Sequence, residues 1–215
     1  RNDPQAVRYV LAPAHHAGVH IDHDTAMKFS AVFRAVAFIS QTIGFLPWMV
    51  VKEKGESKSR LYSHPIAKLL HQRPNPEMSA INFRETMVAW ALTWGNGYAE
   101  IERNGYGQPV ALWPMSPDRV QVKRDRETQE IYYEVNNYYG GTSELNPANV
   151  YHLHGLGFDG LVGYSVISLA ARSIGLAIAA ESLGEDVFSN GLITHIALEH
   201  PGRMSAPAQE RLVES

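Results

Sequence analysis

The sequence predicts an α+β fold in which antiparallel hairpins pack with several helices. Apolar residues recur at steps of three and four in separate blocks, the spacing that lines one face of a helix. Between those blocks lie short runs in which apolar and polar residues alternate, joined by turns such as Asn104-Gly105. Helical and strand blocks are grouped instead of strictly alternating, which favours α+β over a parallel, doubly wound sheet.

Residues 1–22 mix Pro, His, Gly and Ala without periodicity and read as an N-terminal arm. A helix is expected from near Asp24, with the stripe Phe29, Val32, Phe33, Val36, Ile39, Ile43 and Leu46, ended by Pro47. "PWMVVKE" reads as a strand and "KEKGESKSRLY" as a charged hairpin around Gly55. A second helix starts at Ser63-His64-Pro65, with serine as cap, and stops near Gln72 before Pro74 and Pro76. A third runs from Ser79 towards Gly95, carrying Ile81, Phe83, Met87, Val88, Ala91 and Leu92. Then "YAEIER" and "PVALWPM" form a hairpin, with Ala99 and Ile101 on one side and Tyr98, Glu100 and Glu102 on the other. "SPDRVQVKRD" and "EIYYEV" form a second pair, and "VYHLHG" a further strand.

After the connection "GLGFDGLVG", a long helix is expected from about Ser165 to Ser189. One of its rows is Leu169, Ser173, Leu176, Ala180, Leu183 and Val187; a second is Ile167, Ala170, Ile174 and Ile178. A helix apolar over most of its circumference needs cover between layers or between subunits. Gly191 should terminate it, "LITHIALE" reads as a strand, and "SAPAQERLVES" opens another helix. The expected organisation is an arm over residues 1–22, an α+β domain over 23–203 and the start of a further helix over 204–215.

Composition sets outer bounds. With 215 residues, 45% hydrophobic and 19% charged, the chain can bury a real core. A net charge of −3 supplies no broad basic field for wrapping nucleic acid. The absence of cysteine excludes a disulfide framework, thiolate metal ligands and a cysteine nucleophile, and is compatible with a reducing cytoplasm. The chain opens on Arg1, so processing at its start is expected; the first twenty residues hold no continuous apolar core of a signal peptide. Two apolar stretches, residues 35–51 and 161–180, raise the question of a membrane. The first is short and interrupted by Ser40, Gln41, Thr42 and Pro47. The second carries Arg172, at a cost of roughly 2.5–3.5 kcal/mol in a bilayer centre. Both read as buried helices, and no membrane partner is expected.

Residues able to do chemistry are few. The glycines of "WGNGYAEIERNGYGQ" follow a helix and open a strand, the reverse of a phosphate-binding loop, and no lysine follows a glycine. "HHAGVHIDHD" offers His15, His16, His20, Asp22, His23 and Asp24 as N/O ligands for zinc or nickel, but ahead of the first clear element. His152 and His154 project from one strand face and, with Asp159, form the candidate metal set. They share the His-x-His spacing of binuclear metallohydrolases without that family's following Asp-His pair. Glu100 and Glu102 are candidates for acid/base work, although adjacent same-face acids usually mark a solvated side. Ser165 in "GYSVI" lacks the second glycine of a nucleophile elbow and reads as a helix cap. The cluster Lys123, Arg124 and Arg126 alternates with Asp125 and Glu127 and reads as a solvated strand end, and Trp94, Tyr98, Tyr106 and Trp113 as hairpin packing. No enzyme and no cofactor is expected from the residues.

Four phrases in order, "HPIAKLLHQRPNPEMSAINFRE", "GNGYAEIERNGYGQPVALWPMSPDRV", "VYHLHGLGFDGLVGYSVISLAARSIGLA" and "FSNG", resemble the portal proteins of tailed bacteriophages, more narrowly the siphophage and prophage type. The resemblance spans roughly Thr25 to Ala197, the N-terminal half of such a protein. It implies a wing-like α+β fold and a structural role: one subunit of a ring, usually a dodecamer, at a capsid vertex. Double-stranded DNA would pass through the channel, driven by a separate terminase motor, and the ring would also contact capsid and head–tail connector proteins. It implies assembly in the host bacterial cytoplasm and residence in the virion. The family's stem, clip, channel loop and crown would follow Ser215, so no DNA-contacting residue is assigned; the alternative is a metal-dependent hydrolase using His152, His154 and Asp159.

Overall fold

In the computed structural model the described residues are 15–16, 19–55, 57–157 and 159–189. The expected strand "LITHIALE", Gly191 and the helix from Ser205 lie outside them. The chain forms two compact units, one through Ile178 and one from Ala179 on.

β1 (His15–His16) and β2 (Val19–His20) pair antiparallel as a short backbone hairpin. α1 (His23–Lys28) begins one residue before the expected start at Asp24 and is capped by Asp22. The Asp22 carboxylate accepts the Thr25 N–H at 2.7 Å, and the Thr25 hydroxyl accepts the Asp22 N–H at 3.0 Å, a reciprocal capping box. The helix expected to run unbroken to Pro47 is interrupted at Phe29, whose extended backbone (φ −73°, ψ 118°) separates α1 from α2 (Ser30–Phe45). Periodicity cannot register such a break, because the apolar spacing continues across it.

The apolar stripe expected on this helix is also corrected in part. α2 lies on α4 through its small residues, with Ser40 and Gly44 buried, while Phe33, Ile39 and Leu46 are exposed along with Phe38 and Phe45. A Cβ on Gly44 would strike the Glu85 side chain, so close approach of the two helices selects the small row for the inside. β3 (Val51–Lys54) and β4 (Ser57–Arg60) form the charged hairpin around Gly55, fully exposed. α3 (Pro65–His71) starts one residue later than its expected cap: His64 Nδ1, not Ser63, accepts the Ile66 N–H at 3.3 Å. α4 (Ala80–Thr93) is capped by Ser79, which accepts the Asn82 N–H at 3.1 Å.

Two three-stranded antiparallel sheets follow. The first has the order β10-β5-β6, from β5 (Asn96–Arg103), β6 (Pro109–Met115) and β10 (Val150–His154). The second has the order β7-β8-β9, from β7 (Val120–Arg124), β8 (Ile131–Asn136) and β9 (Thr142–Leu145). β9 is an edge strand whose polar "TSEL" carries no apolar alternation, so no strand is expected there from the residues alone. The first sheet has two apolar faces. Ala99 and Leu112 pack against Leu69, Phe83 and Met87 of α3 and α4. Tyr98, Met115 and Val150 pack against Val120, Val122, Tyr133 and Val135 of the second sheet. Phe83 and Met87 are fully buried, each contributing on the order of 2 kcal/mol of transfer free energy.

α5 (Val166–Ser189) supplies a third cluster, in which Ile167, Ala171 and Ile174 meet Ile21 and Ala26. Of the two rows expected on this helix, the isoleucine row turns inwards and the leucine row stays exposed. At 24 residues and a mean hydropathy of 1.5, α5 is long and apolar enough to cross a membrane. Its isoleucines instead join a core with α1, and Arg172 lies within the span.

Candidate functional site

The chemistry-bearing residues meet where the end of α4, the start of β5, the end of β10 and the connection 155–165 converge. The backbone there passes so closely that side chains do not fit. Gly95 closes α4 with φ +83°, and its carbonyl accepts the Gly155 N–H at 2.8 Å. A Cβ on Gly163 would land on the Gly95 carbonyl oxygen and within 2.8 Å of the Gly155 nitrogen. The glycines are therefore a close-packing junction, in keeping with a sequence order unsuited to phosphate.

Asn96 closes that junction. Its Nδ2 donates to the Gly163 carbonyl at 3.1 Å, and its Oδ1 accepts the Gly163 N–H at 2.9 Å. This pairing fixes the amide orientation, so Oδ1 also accepts from His152 Nε2, at 2.9 Å. His152 Nδ1 then accepts the Tyr133 hydroxyl at 3.1 Å. Both ring nitrogens are used, and the imidazole is held as the neutral Nε2–H form. Burial, with His154 as a second cause, pushes its pKa down to about 4.

His154 shares the strand face, as expected, but is exposed, with Nδ1 3.2 Å from the Gly155 carbonyl. The Asp159 Oδ1 accepts the N–H groups of Leu161 at 2.9 Å and Val162 at 3.1 Å, shaping the loop. Among the described residues no three His, Asp or Glu side chains are placed to hold a metal ion. The geometry around His152, His154 and Asp159 thus gives the hydrolase alternative no support. Glu100 and Glu102 are exposed, and Glu102 accepts the Trp113 indole N–H at 2.7 Å.

Ser165 is a cap: its hydroxyl donates to the Thr93 carbonyl at 2.7 Å and accepts the Ser168 N–H at 3.1 Å. The His23 ring stacks on Trp94 with centroids 3.4 Å apart and lies 3.3 Å from Ser165 Oγ. Burial lowers the His23 pKa against the opposing pull of Asp22 and Asp24. Sequence reading missed Asn96 and the His23–Trp94 stack, because neither carries a local signal; partners 67 and 71 residues away create them.

The surface also carries exposed apolar rows. Phe33, Phe38 and Phe45 on α2, and Leu169, Leu176 and Leu183 on α5, are each more than half exposed. Tyr106 and Tyr139 stand out from hairpin tips. Exposed apolar rows of this kind are a feature of surfaces that meet other protein.

The chain belongs to the phage portal protein family, whose model, described as "Phage portal protein", matches residues 30–215. It is 34% identical over 173 residues to the portal protein of Enterobacteria phage HK97, covering 80% of this chain and 40% of that protein. It is 28% identical over 215 residues to the probable portal protein of Streptomyces phage phiC31, covering 96% of this chain and 47% of that protein. The chain thus spans less than half the length of these curated relatives. Among solved structures it resembles the neck of a native gene transfer agent particle computed with C12 symmetry, with a TM-score of 0.62 and 18% identity over 98% of this chain and 54% of that one. It also resembles the crystal structure of an HK97 family portal protein from Corynebacterium diphtheriae, with a TM-score of 0.56 and 15% identity over 88% and 57% of the two chains. At these identities the structural likeness speaks for the fold.

Proposed function

We propose that this chain is part of a portal subunit: a structural element of a ring at a capsid vertex, through which viral DNA is packaged and ejected. The observation that carries the reading is the family match over residues 30–215. The C12 and C6 symmetries of the neck assemblies it resembles support a cyclic arrangement, with twelve copies as the expected number. Residues 23–203 would form the wing-like portion. The terminase motor, capsid and head–tail connector proteins, and double-stranded DNA in the channel, are the partners that follow from this role. Location in the virion follows too, after assembly in the host cytoplasm.

The role is mechanical. At the junction Tyr133, His152, Asn96 and Gly163 bond in a chain to one another, and the exposed rows of α2 and α5 are surfaces of the kind that subunit contacts cover. The test is the native mass of the chain extended to its natural C-terminus, with negative-stain images of the same sample. A closed ring of about a dozen copies with a central hole is the expected result. A stable monomer from that extended chain would refute the reading.

A further inference from the structure

We infer that the outer row of α5 in one copy packs against the outer row of α2 in the next, forming the head-to-tail contact of the ring. This rests on the ring reading above. It starts from two rows of the same design. Along α5, Leu169, Leu176 and Leu183 recur every seven residues, 59%, 66% and 65% exposed, with the small Ser173 and Ala180 exposed between them. Along α2, Phe38 and Phe45 are also seven apart, 66% and 68% exposed, with the small Ala31, Ala35 and Thr42 exposed in the intervening positions. Large knobs separated by small holes at alternating steps of three and four are what knobs-into-holes helix pairing requires. Each row supplies what the other lacks, since rings can enter the gaps at Ser173 and Ala180, and leucines the gaps at Ala35 and Thr42.

Symmetry selects the pairing. A cyclic ring needs two different faces per subunit, one meeting the other head to tail, whereas one face meeting itself closes only a dimer. The fold exposes two such rows, one on α2 and one on α5. Charge points the same way. α2 carries Arg34 and no acid, and between residues 28 and 73 eight Lys/Arg stand against only Glu53 and Glu56. The second half of α5 carries Glu181, Glu185 and Asp186, all exposed, and no base. Like-charged partners would repel, so this distribution favours α2 against α5 over either helix against its own copy.

The sequence contains no cysteine, so introduced thiols report one contact each. The experiment places Thr42→Cys on α2 and Ala180→Cys on α5, singly and together, in the chain extended to its natural C-terminus, and treats the assembled sample with a short bismaleimide. Both sites are exposed, and circular dichroism checks that the fold is retained. The double variant should give a ladder of dimer, trimer and higher species on a denaturing gel, and each single variant should stay monomeric. Rings that assemble normally but give no ladder would overturn the inference while leaving the ring reading intact. Dimers from Ala180→Cys alone would also overturn it, by showing α5 paired with itself. If no ring forms at all, the ring reading fails and this contact falls with it.

Discussion

Replacing His152 by glutamine should remove an acid-sensitive contribution to stability that the wild type carries. In the folded chain His152 is neutral, donating to Asn96 and accepting from Tyr133, and its pKa is pushed down to about 4. In the unfolded chain a histidine titrates near pH ~6.5. The sign follows from proton binding: between these values the unfolded state takes up a proton that the folded state refuses. Stability from this group is intact above the unfolded value and is lost as pH falls, with a slope of about 1.4 kcal/mol per pH unit. Below about 4 both states are protonated and the slope from this group vanishes. Over that window the loss reaches ~3 kcal/mol, a ceiling because the ring keeps some solvent contact. The assay is urea unfolding at half-unit steps from pH 7.5 to 4, comparing wild type with His152→Gln, so that all other titrations cancel in the difference. The reasoning is refuted if the two curves stay parallel, or if NMR finds the His152 imidazole titrating at the ordinary histidine value.

Three further outcomes test the architecture. Gly163→Ala places a methyl on the Gly95 carbonyl and against the Gly155 nitrogen, both backbone groups, and should destabilise by ~3 kcal/mol or more by thermal unfolding; Gly105→Ala, with nothing nearby, should change stability little. Arg84, 3% exposed, donates to the Gly44 and Leu70 carbonyls, both at 2.8 Å, tying α4 to the ends of α2 and α3. Arg84→Met should cost about 3 kcal/mol in chemical denaturation, and Arg84→Lys should not restore it, because one ammonium cannot reach both oxygens. Ser165→Ala removes the cap of α5 and the bond to Thr93, and should lower stability by ~1–2 kcal/mol while speeding hydrogen exchange in the first turn of α5.

Much of the fold was legible in the residue order. The alternation of "YAEIER" fixed which side chains of β5 share a face, and the structure places Ala99 and Tyr98 on opposite cores as expected. Ser79, Pro65 and Ser165 announced helix starts, because a cap or a fixed φ acts on the residues next to it. The order of the glycines against a phosphate loop was legible for the same reason.

Other features could be decided only by tertiary packing. Periodicity showed that α2 and α5 are apolar on more than one side, but burial goes to whichever row matches a neighbour. On α2 that was Ser40 and Gly44, since α4 comes too close for phenylalanine; on α5 it was the isoleucines. The state of His152 depended on Asn96, 56 residues away, and on Tyr133 from the other sheet. Local chemistry sets where chain elements begin, turn and end, because its range is a few residues. Which face is hidden and which proton is held depend on groups that meet only after the chain has folded.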